Sequence, residues 1–405
     1  MRGAGGGRST PRRCTRLGER PLRVVYVDHC AQLSGGQLAL ARLLDALSGS
    51  VEAHVILAED GPLVTVLEHA GHATEVLPMP EPTRSLRGVQ VGRAMGPRPV
   101  LSSAAYTISL ARRIRRLRPD IVHTNSLKAA LYGPAAARLA RRPVVVHVRD
   151  RIETDFLPPT PCRIVRTAVR FLPHAVLGNE TTLSTLGRLR TPSFEVADPV
   201  DPRCFEIARN RGLPSRLVVG MVGRLDRWKG QHIFLEAFAR AFPRGCARAV
   251  IVGSPVLAEA GYQQELRALA GTLGIAGDVE FRGFRADVPS ELARLDIAVH
   301  ASVIPEPFGQ VVTEAMAAGL AIVAADAGGP SRIITSGVDG LLTPPGDAAA
   351  LARELRRLAD DPALRARLGS AGRRRARAFS GAVAAGQALT AYRTVLDRLR
   401  GLRPV

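Results

Sequence analysis

Two short runs in the second half of the chain bring cations, glycines and carboxylates together where an apolar stretch gives way to a helical pattern. The first, GRLDRWKG at 223–230, follows an apolar stretch and leads into a helical pattern starting near Gln231. Arg224 and Lys229 therefore flank a loop whose following helix offers free backbone N–H groups at its start. Two cations and unpaired N–H donors converging on one point suit a phosphate or diphosphate. Read singly, each is equally at home as a solvated surface charge. The second run, EPFGQVVTEAMAAG at 306–319, separates Glu306 from Glu314 by seven residues. Glu306 falls in the loop after the apolar run IAVHAS, Gly309 permits close backbone approach, and Glu314 lies about one turn into the next helix. A carboxylate accepts two hydrogen bonds from a vicinal diol, so acids beside a phosphate-type loop point to sugar and ribose hydroxyls. Seen apart, the same acids read as a helix N-terminal charge and a solvated helical acid. An acid pair also serves glycoside hydrolysis, but that needs two carboxyls facing across one bond. The neighbouring loop argues against it.

The elements that must position these groups follow from hydropathy. With 405 residues, 46% hydrophobic and 23% charged, the chain fits about two or three ordinary domains and can bury full cores. Residues 21–198 alternate apolar runs such as RVVYVD, VVVHV and AVLGN with helical patterns. A second series opens at Leu217 with LVVGMVG and continues through RAVIVG, VEFRGF, IAVHAS and AIVAAD. Such alternation predicts right-handed βαβ units, hence two tandem Rossmann-like α/β domains with parallel, doubly wound sheets and a cleft between them. The expected division is a disordered basic arm at 1–20, a first domain at 21–198 and a Pro-rich linker at 199–216. A second domain at 217–380 and a C-terminal helix at 381–405 that crosses back complete it. The Pro- and Arg-rich stretch 80–102 reads as a long loop at the mouth of the first domain.

The formal charge of +20 raises a nucleic-acid reading, which the distribution of charge opposes. Residues 1–20 hold six arginines against one acid, and residues 351–405 hold thirteen against four. Basicity concentrated at the ends suits solvated helices or an anionic membrane surface better than a groove tracking phosphates. The run LARRIRRLRPD at 110–120 shares that choice between a solvated amphipathic helix and one resting on lipid. Of 56 basic residues only Lys128 and Lys229 are lysine, so a lysine kept at 229 is informative. No apolar run reaches the roughly 18 residues that cross a bilayer, and no apolar segment follows the N-terminal arginines. Five scattered cysteines without C-x-x-C spacing suit a reducing cytosol. The expectation is a cytoplasmic protein, peripheral to the membrane at most.

Taken together, Arg224-Leu-x-x-x-Lys229-Gly230, the E-x7-E pair about 80 residues further on and AIVAADAGGPSRII beyond it resemble the retaining GT-B glycosyltransferases of family 4. The resemblance implies that Arg224 and Lys229 bind the donor diphosphate, Glu306 the donor sugar and Glu314 the ribose. Gly223, Phe308, Gly309, Gln310 and Val311 complete that donor set. It implies a Gly35-Gly36 loop approaching donor phosphate and acceptor, where a tight βα turn explains the glycines equally well. His147, in HVRD, is similar to the family histidine that touches donor sugar or acceptor. Asn125 of HTNS, with Arg149 and Asp150, is the matching acceptor-side set. Asp198 stands where many relatives carry Asn. No D-x-D triplet occurs, so no metal and no cofactor are expected beyond a UDP- or GDP-type sugar as co-substrate.

The implied reaction is transfer of that sugar, with retention, to a glycan or lipid-linked acceptor in polysaccharide, glycolipid or other glycoconjugate synthesis. No covalent nucleophile stands out, and the resemblance implies front-face attack with the leaving phosphate as base. Rivals are a GT-B sugar-nucleotide epimerase or phosphorylase, a basic nucleic-acid-binding protein and a non-catalytic glycan-binding module.

Overall fold

The computed structural model describes residues 20–81, 97–208, 216–255 and 261–401. Residues 1–19 of the expected 1–20 arm and residues 82–96 of the expected loop lie outside them. Residues 97–102 do not belong to a loop: they open the helix Pro97–Leu117.

The first sheet is wholly parallel, built from β1 (Leu22–Asp28), β2 (Val51–Leu57), β3 (Ala73–Val76), β4 (Ile121–Thr124), β5 (Val144–Val148), β6 (Ala175–Gly178) and β7 (Ser193–Glu195) in the order β3-β2-β1-β4-β5-β6-β7. The second holds β8 (Leu217–Val222), β9 (Ala247–Val252), β10 (Val279–Gly283), β11 (Ile297–His300), β12 (Ala321–Ala325) and β13 (Leu341–Thr343), ordered β10-β9-β8-β11-β12-β13. Near-continuous Val, Ile and Ala in the central strands is what helices on both faces demand. The strand order reverses between β1 and β4 in one sheet and between β8 and β11 in the other. Ligands of open α/β sheets bind outside the carboxyl ends of the strands at such points. Both sequence motifs begin there, after β8 and after β11.

The helix Gly35–Leu47 follows β1 and buries Leu40, Leu43, Leu44 and Leu47, the i, i+3, i+4, i+7 pattern of a stripe packed on the sheet. The chain enters the second domain through residues whose side chains already belong to its core: Val200 and Cys204 pack with Phe308, Val312 and Met316. The helix Gly381–Leu399 then returns. It buries Ala384, Ala385, Ala388, Ala391, Tyr392 and Val395 in the first domain's core, beside Tyr26, Leu40 and Leu44. Tyr392 Oη stands 2.7 Å from His123 Nδ1 and 3.1 Å from Tyr26 Oη. Small alanines let this helix lie close, and the single large ring anchors it.

Tyr392→Phe should therefore cost about 1–3 kcal/mol, because buried polar atoms of Tyr26 and His123 lose their partner. Tyr392→Ala should cost about 3–5 kcal/mol, whereas Arg400→Ala on the exposed end should stay within about 0.5 kcal/mol. Urea unfolding of the three variants checks the order.

Candidate functional site

The loop after β8 is shaped by two glycines. Gly253 at the end of β9 has φ +146°, and a Cβ there would come within 2.0 Å of Gly223 O. Gly230 has φ +78°, and its Cβ would sit 2.0 Å from Ala301 O. Only glycine lets the loop turn left-handed against the segment after β11. Gly230 precedes the helix Gln231–Ala241, and the buried Gln231 donates to Arg224 O at 2.9 Å. That bond fixes the loop over the helix start.

Lys229 Nζ lies 2.7 and 2.6 Å from the two oxygens of Glu306 and 4.1 Å from the centre of the Trp228 ring. Glu306 also accepts from Ser302 Oγ at 3.0 Å and stands 3.3 Å from His300 Nε2. Burial alone would raise this carboxyl, but Lys229 and His300 hold it far below the usual range. Arg224 behaves differently: its side chain is 46% exposed and reaches Asp226 at 3.2 Å, so it sits on the rim.

The 306–310 loop needs the Gly-Gly of AADAGGPSRII. Gly329 N donates to Glu306 O at 2.8 Å, and a Cβ on Gly329 would fall 1.8 Å from Phe308 O. Phe308 is buried against Phe379, which seats the loop. Gly309, at φ +98°, then starts the helix Gln310–Ala317, in which Val311 is partly exposed and Glu314 buried. Gln310 Nε2 donates to Gly35 O at 2.7 Å. Glu314 Oε1 receives Arg42 Nη2 at 2.7 Å. Burial pushes the Glu314 carboxyl up, and Arg42 offsets only part of this. The helices that begin at Gly35 and at Gln310 therefore touch across the two domains.

On the first-domain side the structure adds a residue that the motif reading missed. Asp28, buried at the end of β1, accepts from His29 N at 2.6 Å, Asn125 Nδ2 at 2.8 Å and Gln37 Nε2 at 3.1 Å. Its signal in the sequence was an acid closing an apolar strand. Asn125 Oδ1 in turn receives Arg149 Nε at 2.9 Å, and Arg149 Nη1 is bonded to Asp198. The polar atoms of Asn125 and Arg149 are thus largely spent inside the protein, leaving Arg149 Nη2 buried without a partner among the described residues. His147 is 1% exposed, its Nδ1 has no partner among the described residues, and its ring lies 5.3 Å from that of His123. Burial drives both imidazoles down, His123 to about 3, so both are neutral at physiological pH. Burial also lifts the Asp150 carboxyl to about 6. A Cβ added at Gly36 would lie 3.8 Å from the Arg149 side chain. The structure thus gathers Gly223, Lys229, Glu306, Phe308, Gly309, Gln310, Val311 and Glu314 at the strand ends of the second domain, with Arg224 on the rim. Gly35, Gly36, Asn125, His147, Arg149 and Asp150 gather at those of the first.

Residues 206–375 match the model of the glycosyl transferases group 1, and residues 35–179 that of glycosyltransferase family 4. The 2-deoxystreptamine glucosyltransferase of Streptomyces kanamyceticus is 30% identical over 319 residues, 71% of this chain and 80% of the relative. The chain belongs to glycosyltransferase family 4. A D-inositol 3-phosphate glycosyltransferase of Streptomyces bingchenggensis is 34% identical over 215 residues, 51% of this chain; the match spans about half of that relative, 47%. Among solved structures, Anabaena HepE in complex with UDP and glucose superposes with a TM-score of 0.79 at 27% identity, over 92% of this chain and 100% of that one. The fold of this family 4 chain is accordingly GT-B, two Rossmann-like domains in tandem.

The Lys229–Glu306 pair, with side chains 19% and 12% exposed, sets a test of stability. Removing one partner of a largely buried pair costs about 3–5 kcal/mol, so Lys229→Met should destabilise by that order. Adding Glu306→Gln should recover part of the loss. Because the folded carboxyl is held low, its contribution is complete above the unfolded value of 4.5 and drains away as pH falls below it. Between pH 5 and pH 3 the Glu306→Gln variant should lose stability less steeply than the parent. Urea titrations at the two pH values measure both effects.

Proposed function

We propose that the protein is a retaining glycosyltransferase that moves a sugar from a nucleotide diphosphate sugar to an acceptor hydroxyl. The observation carrying this reading is the Lys229–Glu306 pair, set at the strand ends of the second domain beside the starts of two helices. A cation and N–H donors there suit a leaving diphosphate, and an acid next to them suits the hydroxyls of the sugar. On this reading the pair is a resting arrangement that the donor enters: Lys229 turns to the diphosphate, Arg224 reaches it from the rim, and Glu306 is left to the sugar. Negative charge grows on the diphosphate as the glycosidic bond breaks, and both cations stabilise that growth. With no D-x-D triplet in the sequence, they take the place of a metal ion. HepE is solved with UDP and glucose, which supports a uridine diphosphate donor over the guanosine one. Glu314 takes the ribose.

The acceptor enters from the first domain, over the Gly35-Gly36 turn and beside Asp150 and the neutral His147. Relatives named for D-inositol 3-phosphate and for 2-deoxystreptamine support an acceptor rich in hydroxyls, glycan or lipid-linked. Arg112, Arg115, Arg116 and Arg118 share one concavity at the end of the Pro97–Leu117 helix. We include in the reading a peripheral contact of this corner with anionic lipid, each arginine adding about 1 kcal/mol. Sedimentation with phosphatidylglycerol vesicles should fall when Arg112, Arg115 and Arg116 are changed to Glu, and equal sedimentation removes the contact.

Lys229→Ala should lower turnover and weaken UDP binding, since Lys229 meets charge that grows in the transition state. Glu314→Gln should mainly raise the donor Michaelis constant, because ribose hydroxyls do not change during the reaction. Calorimetry with UDP should show weaker binding in both folded variants, and unchanged affinity in both removes the donor site from the second domain. EDTA should leave turnover unaltered; loss restored by manganese or magnesium defeats the metal-free part of the reading.

A further inference from the structure

Glu314, the acid read above as the ribose ligand, is held from the opposite domain. Arg42 Nη2 meets its Oε1 at 2.7 Å, with the two side chains only 14% and 5% exposed. The same guanidinium donates through Nη1 to Pro199 O at 3.3 Å and lies 3.7 Å from Asp201 Oδ2, both in the segment joining the domains. One turn before Glu314, Gln310 donates to Gly35 O, and Gly35 opens the helix on which Arg42 sits two turns later. Two rungs therefore tie one helix of each domain, and the second rung ends on the carboxylate proposed to receive the nucleotide.

A carboxylate this deeply buried keeps its charge only beside a cation or several N–H donors. Arginine supplies a cation that does not deprotonate. An ionised carboxylate is an acceptor with about four lone-pair sites. Arg42 occupies one oxygen and leaves acceptor capacity for a vicinal diol. We propose that Arg42 is a positioning residue for ribose recognition, holding the Glu314 carboxylate ionised and oriented so that its grip on the nucleotide is complete only when the two domains are closed on each other. The inference rests on the reading of Glu314 as the ribose ligand, and goes beyond it by making a first-domain residue part of nucleotide selectivity.

The test compares UDP with 2′-deoxy-UDP on the full-length chain by calorimetry. A site built to hydrogen-bond a hydroxyl rejects the analogue that lacks it, so the parent should prefer UDP by about tenfold or more. Arg42→Met should weaken UDP and bring the ratio of the two dissociation constants close to one. Arg42→Lys keeps the charge without the planar fork, and should restore part of the ratio. It also stands in should the Met variant fail to melt cooperatively. A folded Arg42→Met variant that keeps the parent's ratio assigns Arg42 a structural role only and overturns the proposal. Tighter UDP binding in that variant also overturns it, since Arg42 would then be competing with the ribose. If the parent and Glu314→Gln both bind the two nucleotides alike, the ribose reading of Glu314 itself fails, an outcome distinct from the other two.

Discussion

A carboxylate taken out of water must be met by a cation or by several N–H donors, or it will not stay ionised. Three acids at the strand ends obey this constraint, and each meets it with a different partner. Asp28 is satisfied within the first domain by backbone and amide N–H groups. Glu306 is satisfied within the second by Lys229. Glu314 is met from across the cleft by Arg42, which offsets part of the cost of its burial. Those choices divide the labour of the fold: one acid braces the strand ends of the first domain, one is paired with the cation proposed to meet the diphosphate, and one binds the domains to each other.

Backbone geometry makes these pairings reachable. Lys229 and Glu306 stand 77 residues apart in sequence, yet meet because Gly230 turns tightly against Ala301 and the glycines at 328 and 329 admit the 306–308 backbone at contact distance. A side chain at any of those positions would push one loop off the other by more than the hydrogen bond tolerates. The glycines therefore act on the ion pair through loop spacing and, at Gly329, through a backbone bond to Glu306 O, without touching either charged group.

Much of this architecture could be read in the chain itself because its signals are local. Continuous apolar runs such as VVYV and AVIV reveal buried parallel strands, and the spacing of Arg224, Lys229, Glu306 and Glu314 singles out one end of the second sheet. What escaped was either short or non-local. Strands Ser193–Glu195 and Leu341–Thr343 are three residues each, too brief for periodicity to register. The helix from Pro97 begins in a stretch whose prolines and arginines read as loop, although proline in a first turn leaves a helix intact. Asn125 and Arg149 are pointed to as acceptor-side residues by the family resemblance alone. Only the fold shows that they are bonded to Asp28 and Asp198. Arg42, one arginine among many, carries no mark in sequence at all, since its partner is 272 positions away.

The connections between the domains bear on how the cleft can move. The Gly381–Leu399 helix seats Tyr392 against His123 and Tyr26, so the end of the chain belongs to the first domain by packing. Val200 and Cys204, although they precede the second sheet, belong to the second by the same measure. Each domain thus holds a piece of chain that emerges from the other, and separation must bend both crossing segments together. Arg42 lies beside one of these crossings, bonded to Pro199 and close to Asp201, while its helix also lines the seat of the C-terminal helix, where Gly381 packs on Ala46. A motion opening the cleft has to break the Gln310–Gly35 and Glu314–Arg42 rungs, but it can leave the two crossings largely intact if they serve as its hinge. Opening that keeps both crossings packed parts these rungs together with the Arg332–Glu180 and Arg151–Pro305 contacts, which also span the domains.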